Sequence, residues 1–138
     1  MSKVKDCIFC RIVAKEIPSK ILYEDNDTLA FLDIFPISPG HTIIIPKQHY
    51  RNIEDISEEA FINTWKTTKK LALKIKKNLK VDGYNVLQNN FKAAGQEIDH
   101  FHIHIIPRGI NDKKFSLNIP KFQAKEKDLE DVLKSIKG

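Results

Sequence analysis

Three histidines occupy alternate positions in His100-Phe101-His102-Ile103-His104-Ile105-Ile106. Side chains of a strand alternate between its faces. The spacing therefore predicts a strand over His100–Pro107, with His100, His102 and His104 on one face and Phe101, Ile103 and Ile105 on the other. The apolar set belongs against a core. The imidazoles line the opposite surface, with neighbouring Cα atoms ~6.5–7 Å apart. Neutral imidazole is the commonest metal ligand, and near neutral pH it is also a base and a nucleophile. Two histidines at i and i+2 can converge on one ion. The outer pair is ~13 Å apart along a strand, so one ion reaches both only with strain. At least one ring is left for nucleophilic or proton-transfer work.

The only cysteines, Cys7 and Cys10, form a Cys-x-x-Cys. Spacing alone leaves metal binding and redox chemistry both open. The strand that precedes a thioredoxin-type redox pair is missing, and zinc needs two further ligands. Of the remaining histidines, His41 follows Gly40 at a strand start and is expected only to pack or face solvent.

The elements that must position these groups follow from pattern. Ile8, Phe9, Ile12 and Val13 recur at helical spacing within Cys7–Glu16, which Pro18 ends. Ile21–Glu24 and Thr28–Leu32 are strand candidates around the turn Asp25-Asn26-Asp27, and Thr42–Pro46 is a β-branched buried strand. Asp55-Ile56-Ser57-Glu58 opens a long helix. Its stripe is Phe61, Trp65, Thr68, Ala72, Ile75 and Leu79, with lysines on the remainder. Tyr84–Gln88 reads as a strand and Asn89–Asp99 as a loop. Leu129, Val132, Leu133 and Ile136 mark a short C-terminal helix. One main helix among strands, without βαβ alternation, argues for α+β with a mostly antiparallel sheet of about five strands and short helices at either end.

The 138 residues fit one domain, 1–138. With 41% hydrophobic and 30% charged residues they exclude a disordered tail and a collagen-like chain. No run approaches the ~20 apolar residues of a membrane span. The N-terminal Met1-Ser2-Lys3-Val4-Lys5-Asp6 has no apolar leader segment, so a cytoplasmic location and no membrane partner are expected. Net charge is +5, from 23 basic and 18 acidic residues. Solvated lysine faces account for much of that excess, so nucleic acid is not the expected partner.

The run His-φ-His-φ-His-φ-φ (φ apolar) resembles the signature of the histidine triad (HIT) superfamily. Ile8-Phe9, Ile17-Pro18, Phe31-Leu32-Asp33-Ile34, Pro39-Gly40-His41, Ile45-Pro46-Lys47 and Gly95-Gln96 extend that likeness. Together they make the chain similar to the Hint-like branch of nucleotide hydrolases and transferases, in the bacterial form with Cys-x-x-Cys. The resemblance covers residues 7–108 and leaves 109–138 as a basic C-terminal extension.

It implies a HIT-like fold and a homodimer joined through the long helix and a sheet edge. His102 would attack the α-phosphorus of a purine nucleoside phosphoramidate or phosphoanhydride. A nucleotidyl-histidine forms, and water releases a nucleoside monophosphate such as AMP. His104 would position the phosphate as His100 completes the triad, and Gln96, beside Gly95, would donate to phosphate or bridging atoms. Asn89 matches a phosphate-side position and Asp33 the ribose carboxylate. Ile8, Phe9, Ile12, Ile17, Phe31 and Ile34 match the base slot. The resemblance further implies a closed, structural zinc site of Cys7, Cys10, His49 and His100. Glu97 stands where animal relatives have a serine, and Asp99 where many have an apolar or aromatic residue; both bear on substrate preference.

Taken singly, the apolar residues read as core, Asp33, Asn89 and Gly95 as turn formers, and Gln96 as a solvated loop residue. Other functions share these residues: a dinucleoside polyphosphate hydrolase or phosphorylase with the same nucleophile, a nucleotide-binding regulator with incidental turnover, and an enzyme using the triad as metal ligands.

Overall fold

β-Branched and aliphatic runs build the sheet. A computed structural model describes residues 4–115 and 119–138; Met1-Ser2-Lys3, read above for a leader, lies outside them. Five strands lie in the order β1 (Ile21–Glu24), β2 (Thr28–Leu32), β3 (Thr42–Pro46), β5 (Ile103–Arg108), β4 (Gly83–Gln88), every neighbour antiparallel. β2 and β3 pair from Thr28↔Pro46 to Leu32↔Thr42, and all of their residues but Leu32 are buried. Covered on both faces, they read as continuous apolar runs rather than as alternation.

The long helix α2 (Glu58–Leu79) begins where the Ser57 hydroxyl accepts from the Ala60 amide at 3.1 Å. Glu58 and Glu59 in the first turn and Lys76 and Lys77 in the last suit the helix dipole. It lies on one sheet face, joining Leu71, Ala72 and Ile75 to Ala30, Ile44, Phe101, Ile103 and Ile105. The expected stripe faces this core from Phe61 to Ile75, and the buried band is wider than the sequence pattern alone marks. Thr64, Thr67 and Leu71 are inside, and Leu79 is half exposed. Threonine hydroxyls make this possible because each finds an acceptor: Thr64 donates to the Ala60 carbonyl at 2.6 Å and Thr68 to that of Thr64 at 2.8 Å. Gly40 follows a turn at φ +91°, and a Cβ there would stand 2.4 Å from Leu79 Cδ1. The positive φ, which L side chains rarely adopt, is what favours glycine here.

The short helix α1 (Ile8–Val13) covers the other face, with Phe9, Cys10 and Ile12 packed on Leu29, Phe31, Ile43 and Ile45. It is shorter than the expected Cys7–Glu16. Cys7 is its N-cap, its sulfur accepting from the Cys10 amide at 3.3 Å, and the turn ends at Lys15 with φ +64°.

The last strand also differs. β5 starts at Ile103 and not at His100, and its ladder with β3 runs only from Thr42↔Ile105 to Ile44↔Ile103. Proline has no N–H to continue that ladder. The Pro46 carbonyl instead accepts from the His100 ring at 2.8 Å, and the Phe101 amide donates to the Tyr50 carbonyl at 2.7 Å. Phe101, Ile103 and Ile105 still face the α2 core as alternation requires. The C-terminal helix α3 (Glu126–Lys137) forms, with no residue buried. Among the described residues no helix is long and apolar enough to cross a membrane.

Candidate active site

Backbone groups set the proton positions on the histidines. His102 Nδ1 lies 2.6 Å from the His100 carbonyl. A carbonyl only accepts, so Nδ1 carries the proton and Nε2 keeps its lone pair. His100 follows the same logic in reverse. Its Nε2 donates to the Pro46 carbonyl, which leaves Nδ1 as the lone pair. His41 is fixed from the other side: the Ile37 amide donates to its Nδ1 at 3.1 Å, so its proton sits on Nε2. That proton is donated to His104 Nδ1 at 2.9 Å, and His104 retains its own N–H on Nε2.

Burial holds these rings neutral. Desolvation lowers the pKa of His41 and His102 from the ordinary 6.5 and takes His100 and His104 to about 4. Asp33 and Glu97 oppose the shift at His102 through their charges but do not outweigh burial. The arrangement thus presents one unprotonated ring nitrogen and one N–H donor, both neutral at pH 7.

A cavity of about 570 Å³ opens on this face. His102 and His104 line it, together with all nine expected substrate-contacting residues: Ile8, Phe9, Ile12, Ile17, Phe31, Asp33, Ile34, Asn89 and Gly95. Ile34 and Ile8 stand exposed at 77% and 43%, which marks them as surface around an opening rather than as core. Asp33 holds a turn, its Oδ1 accepting from the Phe35 amide at 2.8 Å, and its Oδ2 lies 3.6 Å from His41 Nε2.

His41 is the residue that sequence reasoning missed. It is buried and bonded within the site, beyond the packing or solvent exposure expected for it. Register carries the signal: Ile43 pairs with His104 across β3 and β5, and His41 shares the face of Ile43, one diagonal step along.

Gln96 lies elsewhere. It is buried and does not line the cavity. Its Nε2 donates to the Arg51 carbonyl at 2.6 Å and the Ile98 carbonyl at 3.0 Å, and its Oε1 accepts from the Phe91 amide at 2.8 Å. Phe91 has φ +71° and ψ 154°, a region nearly reserved for glycine. The side chain of Gln96 therefore ties down a strained loop.

His100 also stands outside the cavity, in a cluster with Cys7, Cys10 and His49 whose ligand atoms all lie within 4.8 Å of one another. Cys7 Sγ is 3.3 Å and Cys10 Sγ 3.6 Å from His100 Nδ1; His49 Nδ1 is 3.3 Å from Cys10 Sγ and 3.2 Å from His100 Nδ1. A tetrahedron with Zn–N of ~2.0–2.1 Å and Zn–S of ~2.3 Å has edges of roughly 3.3–3.8 Å. The donors, the separations and the inward lone pair of His100 all fit such an ion. Asp33, His41 and His104 also cluster within 4.8 Å, but the proton on His41 Nε2 leaves that set without the lone pair a metal needs.

A family model described as the HIT domain matches residues 14–110. Over 124 residues the chain is 46% identical to an adenosine 5'-monophosphoramidase of Saccharomyces cerevisiae, covering 90% of this chain and 74% of that one. The crystal structure of a member of the HIT family of proteins from Bacillus subtilis superposes with a TM-score of 0.88 at 38% identity, covering 96% of both chains. A Zn-bound histidine triad family protein from Mycobacterium smegmatis superposes with a TM-score of 0.76 at 32% identity, again over 96% of both.

Proposed function

The chain belongs to the HIT domain family, and from that premise we propose that it hydrolyses adenosine 5'-phosphoramidates or related purine nucleotide esters and anhydrides at the α-phosphorus. The observation that carries this reading is the His102 ring, which lines the cavity: Nδ1 is pinned to the His100 carbonyl at 2.6 Å, and among the described residues no hydrogen bond occupies Nε2.

The base occupies the apolar side chains of α1 and β2, the ribose hydroxyls meet Asp33, and Asn89 and Gly95 lie toward the phosphate. His102 Nε2 bonds to phosphorus as the bond from phosphorus to the leaving nitrogen breaks. That nitrogen takes one proton from solvent and departs as an amine. Water then bonds to phosphorus, the bond to Nε2 breaks and AMP leaves; the proton this water gives up balances the one consumed. His104 donates from Nε2 to a phosphoryl oxygen, and preorganised donors of this kind contribute about 10²–10³ in rate. His41 holds the His104 ring in the donating tautomer. Gln96 acts on the loop, as a positioning residue, and not on the phosphate.

Cys7, Cys10, His49 and His100 would hold zinc. A closed four-ligand site leaves no open position for Lewis-acid work, so these residues would serve a structural link between α1 and the segment that leads into β5. Coverage of the free sheet edge at β4 favours a homodimer, and two cysteines outside any disulfide suit a reducing cytoplasm.

The test compares wild type with His102→Ala for AMP release from adenosine phosphoramidate, after AMP binding is confirmed for both. Turnover only in the wild type supports the reading. Equal turnover in both assigns the chemistry to another group, and binding without turnover in either makes the protein a nucleotide-binding module.

A further inference from the structure

Among the described residues, no lysine or arginine lines the cavity. Its ionisable lining residues are Asp33, Glu97, His41, His102 and His104, although the chain carries 23 basic residues and a net charge of +5. The histidines are neutral, so the two carboxylates make the site locally negative where the molecule as a whole is positive. Glu97 is exposed, and among the described residues no hydrogen bond or ion pair occupies its carboxylate. Its charge is nonetheless felt at His102. It stands on the loop after β4, one residue beyond Gln96, whose anchored side chain fixes that loop.

We propose that Glu97 is a specificity-determining residue that selects leaving groups bearing a cation and rejects polyphosphate leaving groups. The proposal rests on the hydrolase reading above. With the base against α1 and β2 and the ribose at Asp33, the substituent on phosphorus is left toward the wall that carries Asn89, Gly95 and Glu97. Sites built for polyphosphate meet its charge with arginine, lysine or a metal. Here a polyanion would stand beside two carboxylates with no lysine or arginine among the lining residues to offset its charge. An amine with a second, charged ammonium, such as a lysine-type side chain, gains a partner instead.

Three adenosine phosphoramidates that differ only in the end of the leaving amine, an ammonium, a hydroxyl or a carboxylate, test this. kcat/KM is measured for wild type, Glu97→Gln and Glu97→Asp at low and high ionic strength, with AMP binding as the check on folding. The expected wild-type order is ammonium above hydroxyl above carboxylate, compressed by salt. In Glu97→Gln the ratio of ammonium to carboxylate falls roughly three- to fivefold, the scale of an exposed charge pair, and Glu97→Asp keeps most of it. Ratios that are the same in wild type and Glu97→Gln overturn this inference alone. Absence of AMP release from all three by wild type overturns the hydrolase reading and this inference with it.

Discussion

His41 Nε2 stands 2.9 Å from His104 Nδ1, and the bond runs in one direction. The Ile37 amide occupies the other nitrogen of His41, so His41 can only donate and His104 can only accept. The outcome is an N–H on His104 Nε2, on the ring that lines the cavity. A backbone amide outside the triad thus fixes which proton the triad offers, a second-contact effect on tautomer of the kind known around metal-bound histidines.

Replacing His41 tests this directly. His41→Phe keeps an aromatic ring but removes the donor, and kcat is expected to fall roughly tenfold or more, about 1.4 kcal/mol of transition-state stabilisation. KM moves less. His41→Gln keeps a donor near Nε2 and is expected to recover part of the loss. Equal losses in both variants would show that packing, and not the proton, is what His41 supplies.

Gln96 makes a different prediction. Gln96→Glu keeps the shape but cannot donate to the Arg51 and Ile98 carbonyls, so a buried carboxylate would face two acceptors. Such a change costs about 1–3 kcal/mol, and a lower thermal midpoint accompanies the loss of activity. A residue acting only on phosphate would lower kcat and leave the midpoint in place.

Removal of the metal should act through stability. Burial pushes the Cys7 thiol up to about 11, so coordination at pH 7 displaces at least that proton. Titration of zinc into stripped protein, followed by calorimetry in two buffers of different ionisation heat, is expected to show proton release and a raised thermal midpoint. Zinc binding with no change in midpoint would contradict a structural role. Chelation that stops turnover at once in a still-folded protein would give the ion a catalytic one.

Acid should destabilise the fold through the same neutral rings. His104 is held at about 4 by burial and by its neighbours His102 and His41, whereas an unfolded histidine titrates near 6.5. Between those values the unfolded chain binds a proton that the folded chain refuses, so unfolding is favoured progressively as pH falls from about 6.5 toward about 4. Stability from this source is complete above about 6.5. Urea midpoints at about pH 7.5 and about pH 5 should show the decline. A midpoint that holds or rises on acidification would mean that burial does not keep these rings neutral.

Much of this was legible in sequence because the sheet is patterned strongly. β1, β2 and β3 end where turn residues and β-branched runs place them, and Ser57 with two following glutamates marks the start of α2. Alternation gave the triad its two faces even though the strand itself begins three residues late. What pattern could not carry was partnership between distant segments. The loss of pairing beyond Ile44 depends on Pro46 meeting His100. The inclusion of His41 depends on cross-strand register, and the role of Gln96 on two carbonyls, one of them 45 residues away. The α2 stripe was drawn too narrow: Thr64 and Thr67 also lie inside, because one hydroxyl donates to the Ala60 carbonyl and the other pairs with the Thr28 hydroxyl.

The most direct measurement is the mass of the protein during turnover. Adenosine phosphoramidate is mixed with excess enzyme and quenched within a turnover, and the intact mass is followed by mapping of the modified peptide. The expected product is one adenylyl group per chain, carried on His102 and lost when the quench is delayed. Turnover with no adduct at any time, or an adduct on His104, His41 or another residue, would contradict His102 as the nucleophile.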